Sequence, residues 1–159
     1  MQLTLLISTL LLLAFQDIRT RKVWVLLFPV VLVLSIGYKW NSFILEQCSW
    51  NLVFVVFSLL SLTLYLTIKE RRLVAVWKGY FSIGDILYLL AIVPLFNFPL
   101  YLFYFTTGTF LCLLTHATSL LLSKKVNKSV PYAGYMSIYL IATLLFENQV
   151  QYLILQLLS

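Results

Sequence analysis

Six apolar runs, each parted from the next by a short polar or basic stretch, constrain this chain more than any other feature. They cover residues 3–16, 23–38, 52–68, 83–96, 100–122 and 132–146. A bilayer core of roughly 30 Å needs a helix of about 20 apolar residues to cross it. With 62% apolar and 10% charged residues, the chain has little from which to build a soluble surface. The fold class read from this pattern is all-α. It is a polytopic membrane bundle of six transmembrane helices, forming one domain over residues 1–159. The first and fourth runs are short, and each reaches spanning length only by continuing through an aspartate.

The loops sort by charge. Ten of the eleven basic residues fall in alternate loops: Arg19, Arg21 and Lys22, then Lys69, Arg71, Arg72 and Lys78, then Lys124, Lys125 and Lys128. Lys39 alone belongs to the other set. The positive-inside rule places the basic loops in the cytoplasm and both termini outside. Trp24, Trp40, Trp50 and Trp77 lie near the ends of apolar runs, as interfacial anchors do. The net charge of +6 is explained by topology, and no extended basic surface is left to bind nucleic acid. Met1 to Phe15 lacks a basic leader and a small-residue cleavage site, so it reads as a retained first helix. The loop over residues 69–81 leads into Asp85 and is positioned to cover it or to hold a substrate. The prolines Pro94 and Pro99 bracket a tight turn. The tail over 147–159 reads as interfacial.

Cys48, in a presumptive loop, and Cys112, inside an apolar run, form no Cys-x-x-Cys pair. No metal site and no cofactor are expected. The chemistry rests on the chain's two aspartates, Asp17 and Asp85. Both fall where an apolar run meets a basic loop, at one membrane face. Carboxylates near lipid are costly and usually functional. Two carboxyls within a few ångströms share one proton, so one serves as general base on a water and the other polarises a carbonyl. Each also has a plain structural role open to it. Asp85 suits a helix N-cap with Ser82 in the loop before it, and Asp17 suits pairing with the nearby cations. Gly84 permits close backbone approach or an unwound first turn. His116, Ser58, Ser61 and Tyr65 read as bundle-packing residues.

Three segments carry a family resemblance. Asp17-Ile18-Arg19-Thr20-Arg21-Lys22-Val23 resembles the Asp-x-Arg-x-Arg-x-Ile stretch of the type IV prepilin peptidase family. Ser82-Ile83-Gly84-Asp85 is similar to that family's Gly-x-Gly-Asp motif. Val130-Pro131-Tyr132-Ala133 resembles the Ile-Pro-Phe-Gly-Pro stretch that opens its last helix. The three occur in the family's order on a similar six-span layout. The resemblance implies a peptidase core with Asp17 and Asp85 as the catalytic pair and Gly84, Pro131 and Tyr132 at the substrate. It also implies prepilin-like proteins as substrates, cleaved at the cytoplasmic face of a bacterial inner membrane. Ser82 stands at the first motif glycine and Gly134 at the second proline of the last motif. The cytoplasmic insertion of bifunctional members is missing, so methyltransferase activity is not expected. Two other classes use the same acids: a non-catalytic relative that binds pilin helices or scaffolds an assembly, and a small proton-coupled carrier.

Overall fold

The computed structural model describes residues 2–40, 45–71, 82–122 and 130–147, together with 149 and 156. Within them the chain folds into six α-helices: α1 (Gln2–Thr20), α2 (Leu27–Tyr38), α3 (Leu45–Glu70), α4 (Ile83–Ala91), α5 (Phe98–Leu122) and α6 (Tyr132–Leu145). No strand occurs among the described residues. Three helices are long and apolar enough to cross a membrane: α1, α3, and α5 over Phe98–Thr118. Their outward faces are apolar as well, with Leu5, Leu11, Leu12, Phe57, Leu60 and Leu64 exposed. Such faces suit lipid and would drive aggregation in water. Trp24, Trp40 and Trp50 are all exposed near helix ends.

Successive helices run antiparallel, and side-chain contacts fix which ends meet. At one end, the Trp24 N–H donates to Gln16 Oε1 at 3.2 Å, joining the close of α1 to the approach to α2. At the other, the Gln2 side chain lies beside Gly37. There too, Lys39 after α2 pairs with Glu147 after α6. Asn51 near the start of α3 donates to the carbonyls of Val93 and Phe96, at 3.0 and 2.7 Å. It thereby clamps the 3-10 turn Val93–Leu95, where Pro94 ends the α4 pattern. The described cations of the basic loops, Arg19, Arg21, Lys22, Lys69 and Arg71, lie at the ends of α1 and α3. Lys39 lies at the opposite end.

Several boundaries differ from the sequence reading. The second helix starts at Leu27 rather than residue 23, because the chain first turns through Trp24, whose carbonyl takes the Leu27 N–H at 2.9 Å. The third starts at Leu45 rather than residue 52, so Cys48 is helical and not in a loop. Polar Glu46, Gln47 and Asn51 disguised this turn, yet Asn51 is buried. Ser61 and Tyr65 are exposed and do not bind helices together. α3 meets its neighbours through Asn51, Val55 and Leu66. The loop read as a cover for Asp85 is described only to Arg71. Residues 123–129 and most of the tail lie outside the described residues.

The core is built where α1 packs on α6 and α6 on α5. Tyr88 and Tyr104 share a hydroxyl contact of 2.9 Å, and the Tyr104 hydroxyl donates to the Met136 carbonyl at 2.8 Å. These pairings satisfy polar groups that lipid would leave unpaired. Gly108 lets α5 approach α6: a Cβ there would sit 2.7 Å from Met136 Sδ and 2.9 Å from Tyr139 Cδ1. Gly108→Val is therefore expected to destabilise the bundle by about 1–3 kcal/mol through overpacking. A lowered thermal unfolding midpoint in detergent would show it.

Candidate functional site

Helical spacing aims both aspartates inward. On α1 the buried stripe runs Leu6, Leu10, Leu13 and then Asp17, at steps of four, three and four. On α4 it runs Asp85, Tyr88 and Leu89, and continues to Ile92 at the C-cap. Each carboxylate thus closes an otherwise apolar stripe at the same end of the bundle. Asp17 is 9% exposed and Asp85 7%. Both line one cavity of about 280 Å³, with Arg21, Val23, Phe28, Ser82, Gly84 and Ala133 among its walls.

The third element of the site is the start of α6. A helix opens with N–H groups that have no partner inside it. Pro131, the N-cap residue, has no side-chain acceptor to offer them, and no side chain of its own helix caps this end. The acceptors come instead from two other helices. The Ala133 N–H donates to Asp85 Oδ1 at 3.1 Å, and the Gly134 N–H donates to Asp17 Oδ2 at 2.7 Å. Adjacent amides of one chain segment therefore hold the two carboxylates side by side. The positive end of the α6 dipole favours negative charge at this point. Asp17 also lies within electrostatic reach of both Asp85 and the Arg21 guanidinium.

Ser82 and Asp85 form a capping box at the start of α4. The Asp85 N–H donates to Ser82 Oγ at 3.1 Å, while the Ser82 N–H and hydroxyl donate to Asp85 Oδ2 at 2.9 and 2.8 Å. The roles expected from sequence are thus exchanged: Ser82 is the N-cap, and Asp85 is the third residue of the helix. Asp85 Oδ1 remains turned toward Ala133. Ser82→Ala is expected to cost about 1 kcal/mol in unfolding free energy, and Ser82→Gly only a few tenths, since glycine is a tolerated N-cap. Denaturation of the two variants in one detergent gives the comparison.

The remaining sequence candidates divide. Gly84 lines the cavity. A Cβ there would meet Phe28 Cζ at 3.4 Å and Ser82 Oγ at 3.5 Å, which is ordinary contact. The helix is regular from Ile83, so Gly84 neither unwinds the first turn nor admits a close backbone approach. Pro131 is buried and acts by starting α6. Tyr132 is 7% exposed, bonds Thr109 through its hydroxyl at 3.0 Å, and is not among the cavity walls. It packs one position before Ala133, the residue that lines the cavity. His116 is buried, and its Nδ1 has no hydrogen-bond partner among the described residues. Cys48 and Cys112 are both free thiols. No cluster of three metal-ligating side chains occurs among the described residues.

Sequence reasoning did not find the amides of Ala133 and Gly134. Its available signal was a helix opening at a proline, a residue whose side chain cannot cap. It also missed why Gly134 is glycine. A Cβ at that position would lie 3.0 Å from Ile18 Cγ1, 3.1 Å from Asp17 Oδ2 and 3.2 Å from Asp17 Cβ. The chain matches no family model, no curated protein and no solved structure.

Proposed function

We propose that this chain is an intramembrane aspartic endopeptidase of the prepilin peptidase type, with Asp17 and Asp85 as its catalytic pair. The observation that carries the reading is that both carboxylates line one cavity at the start of the helix that bears the third resembling segment. The three segments that resemble the family are far apart in sequence, and they meet at this point. In this reading all six helices span the membrane of a bacterial cell. The aspartate end faces the cytoplasm, in line with its basic residues. Substrates are prepilin-like proteins, cut between a short leader and an apolar helix, and no methyl transfer accompanies cleavage.

The chemistry follows from a pair holding one proton. The ionised carboxylate takes a proton from water as the water oxygen bonds to the scissile carbonyl carbon. The protonated carboxyl gives its proton to the carbonyl oxygen, forming a tetrahedral diol. Collapse breaks the C–N bond: the carboxyl that took water's proton gives it to the leaving nitrogen, and a diol hydroxyl gives its proton to the other carboxylate, which restores the singly protonated pair. The apolar walls Val23, Val25, Phe28 and Leu87 limit the water around the pair.

A second reading draws on the same hydrogen bonds. Both carboxylates cap α6 from outside it, a purely structural task that a non-catalytic scaffold also requires. Asparagine separates the two, because it can still accept an amide N–H but cannot move a proton. Loss of prepilin cleavage in Asp17→Asn and Asp85→Asn, with insertion and folding retained, supports the peptidase. Normal cleavage by either variant rejects it.

A further inference from the structure

The cavity shared by the two aspartates has two chemically different halves. Asp17, Asp85, Arg21 and Ser82 make one half polar, and Val23, Val25, Phe28 and Leu87 make the other apolar. Its volume of about 280 Å³ falls below the roughly 300–1,000 Å³ of pockets that hold a whole small molecule. It suits one reacting peptide group and one neighbouring side chain. Phe28 is buried, Val23 and Leu87 are half-buried, and Val25 is 66% exposed. The apolar half thus grades from a closed end at Phe28 to an open rim at Val25.

Gly84, itself half-buried, stands against that closed end. The atoms nearest to a Cβ built on it are Phe28 Cζ at 3.4 Å, Ser82 Oγ at 3.5 Å and Phe28 Cε2 at 3.9 Å, all of them in cavity walls. A methyl group would fit there in ordinary contact, at the expense of cavity space. Glycine weakens a helix relative to alanine, and the regular backbone of α4 does not require it. What the glycine supplies is room beside Phe28.

We propose that Gly84 and Phe28 are the specificity-determining pair of the cleavage site. They hold one apolar substrate side chain directly beside the scissile bond and limit its size. This deepens the proposed Asp17/Asp85 peptidase and rests on it. An apolar side chain gains by leaving water against Val23, Phe28 and Leu87, whereas a polar one loses its hydration with no partner on that side. A methyl added at position 84 lowers the size limit, and a shorter side chain at position 28 raises it. The two substitutions therefore act in opposite directions.

The test gives the full-length protein in liposomes a series of prepilin-like peptides. Each of the two residues flanking the scissile bond is changed, one at a time, to Ala, Leu, Phe or Asn. The readout is kcat/KM for Phe relative to Ala. At one of the two positions Gly84→Ala is expected to lower this ratio by about tenfold or more, and Phe28→Leu to raise it by a similar factor. One methylene in an apolar pocket is worth about 10–200-fold. The combined variant is expected to return the ratio toward wild type. At the same position wild type is expected to prefer Leu over Asn, its near isostere, by at least about tenfold. Gly84→Ala is expected to keep or raise the thermal midpoint, since alanine favours the helix. Ratios unmoved in both variants at both positions overturn the pair's role. A shift in the same direction in both variants also overturns it, because that marks a general loss of fit and not a size limit. Asn cleaved as well as Leu overturns the apolar assignment. Asp17→Asn on the same peptides keeps the two questions apart: cleavage there at the wild-type rate rejects the peptidase, whereas unmoved ratios with Asp17→Asn inactive reject only this pair.

Discussion

Asp17→Asn and Asp85→Asn are each expected to abolish prepilin cleavage, a loss of at least about 10²–10⁴-fold from removing one acid–base group. Their structural costs differ, for reasons visible at the site. Asp17 accepts the Gly134 N–H through Oδ2, and asparagine oxygen can keep that bond. Asp85 uses Oδ1 for Ala133 and Oδ2 for Ser82, so asparagine must present its NH₂ to one of these donors. Asp85→Asn therefore gives up about one hydrogen bond, roughly 1 kcal/mol, whereas Asp17→Asn gives up almost nothing. Alanine at either position leaves a buried helix-end N–H unpaired, at about 1–3 kcal/mol. Activity assays and unfolding curves on the four variants separate catalysis from capping. An enzyme loses activity in all four, and a scaffold loses stability only in proportion to the lost caps.

The second large effect falls on a residue with no side chain. Gly134 is where α6 comes closest to Asp17, and a Cβ there would press on Ile18 and on Asp17 itself. Gly134→Val is expected to push the Asp17 carboxylate away from its partner. Misplacing a reacting group by about 1 Å costs on the order of 10²-fold in rate. The variant is expected to lose at least that in kcat, with Gly134→Ala between it and wild type. Destabilisation of about 1–3 kcal/mol accompanies the branched side chain. Wild-type turnover in Gly134→Val would show that α6 does not set the position of Asp17. The glycine also preserves the N–H that the proline of the resembled motif lacks, so this chain braces Asp17 by a bond that proline does not permit.

How much of this was legible in the sequence depends on the scale of the feature. Helix number and order followed from apolar runs, because lipid-facing helices must be apolar along most of their length. The turn over Pro94 was legible because proline stops a helix. Cys48 and Asn51 were misread as loop because one buried asparagine inside a polar turn breaks the apolar pattern, although it clamps two carbonyls. Asp17 and Asp85 stood out as acids among apolar residues. Their burial was also implicit in spacing, since Leu6, Leu10 and Leu13 carry the α1 stripe directly to Asp17. The partners of the aspartates were not legible. The Ala133 and Gly134 donors are backbone groups, which every residue but proline possesses. Arg21, in the same cavity wall, sits in a left-handed turn that arginine rarely adopts.

A double-mutant cycle on cleavage tests the pairing of Asp17 with Asp85 most directly. Single-turnover rates are measured for Asp17→Asn, Asp85→Asn and the double variant in liposomes, with equal amounts of folded protein. Two carboxyls acting on one water as a unit are not additive. Each single variant is predicted to fall to the same floor, and the double variant to fall no further. Rate losses that multiply in the double variant, or wild-type cleavage by either single variant, would contradict a shared dyad.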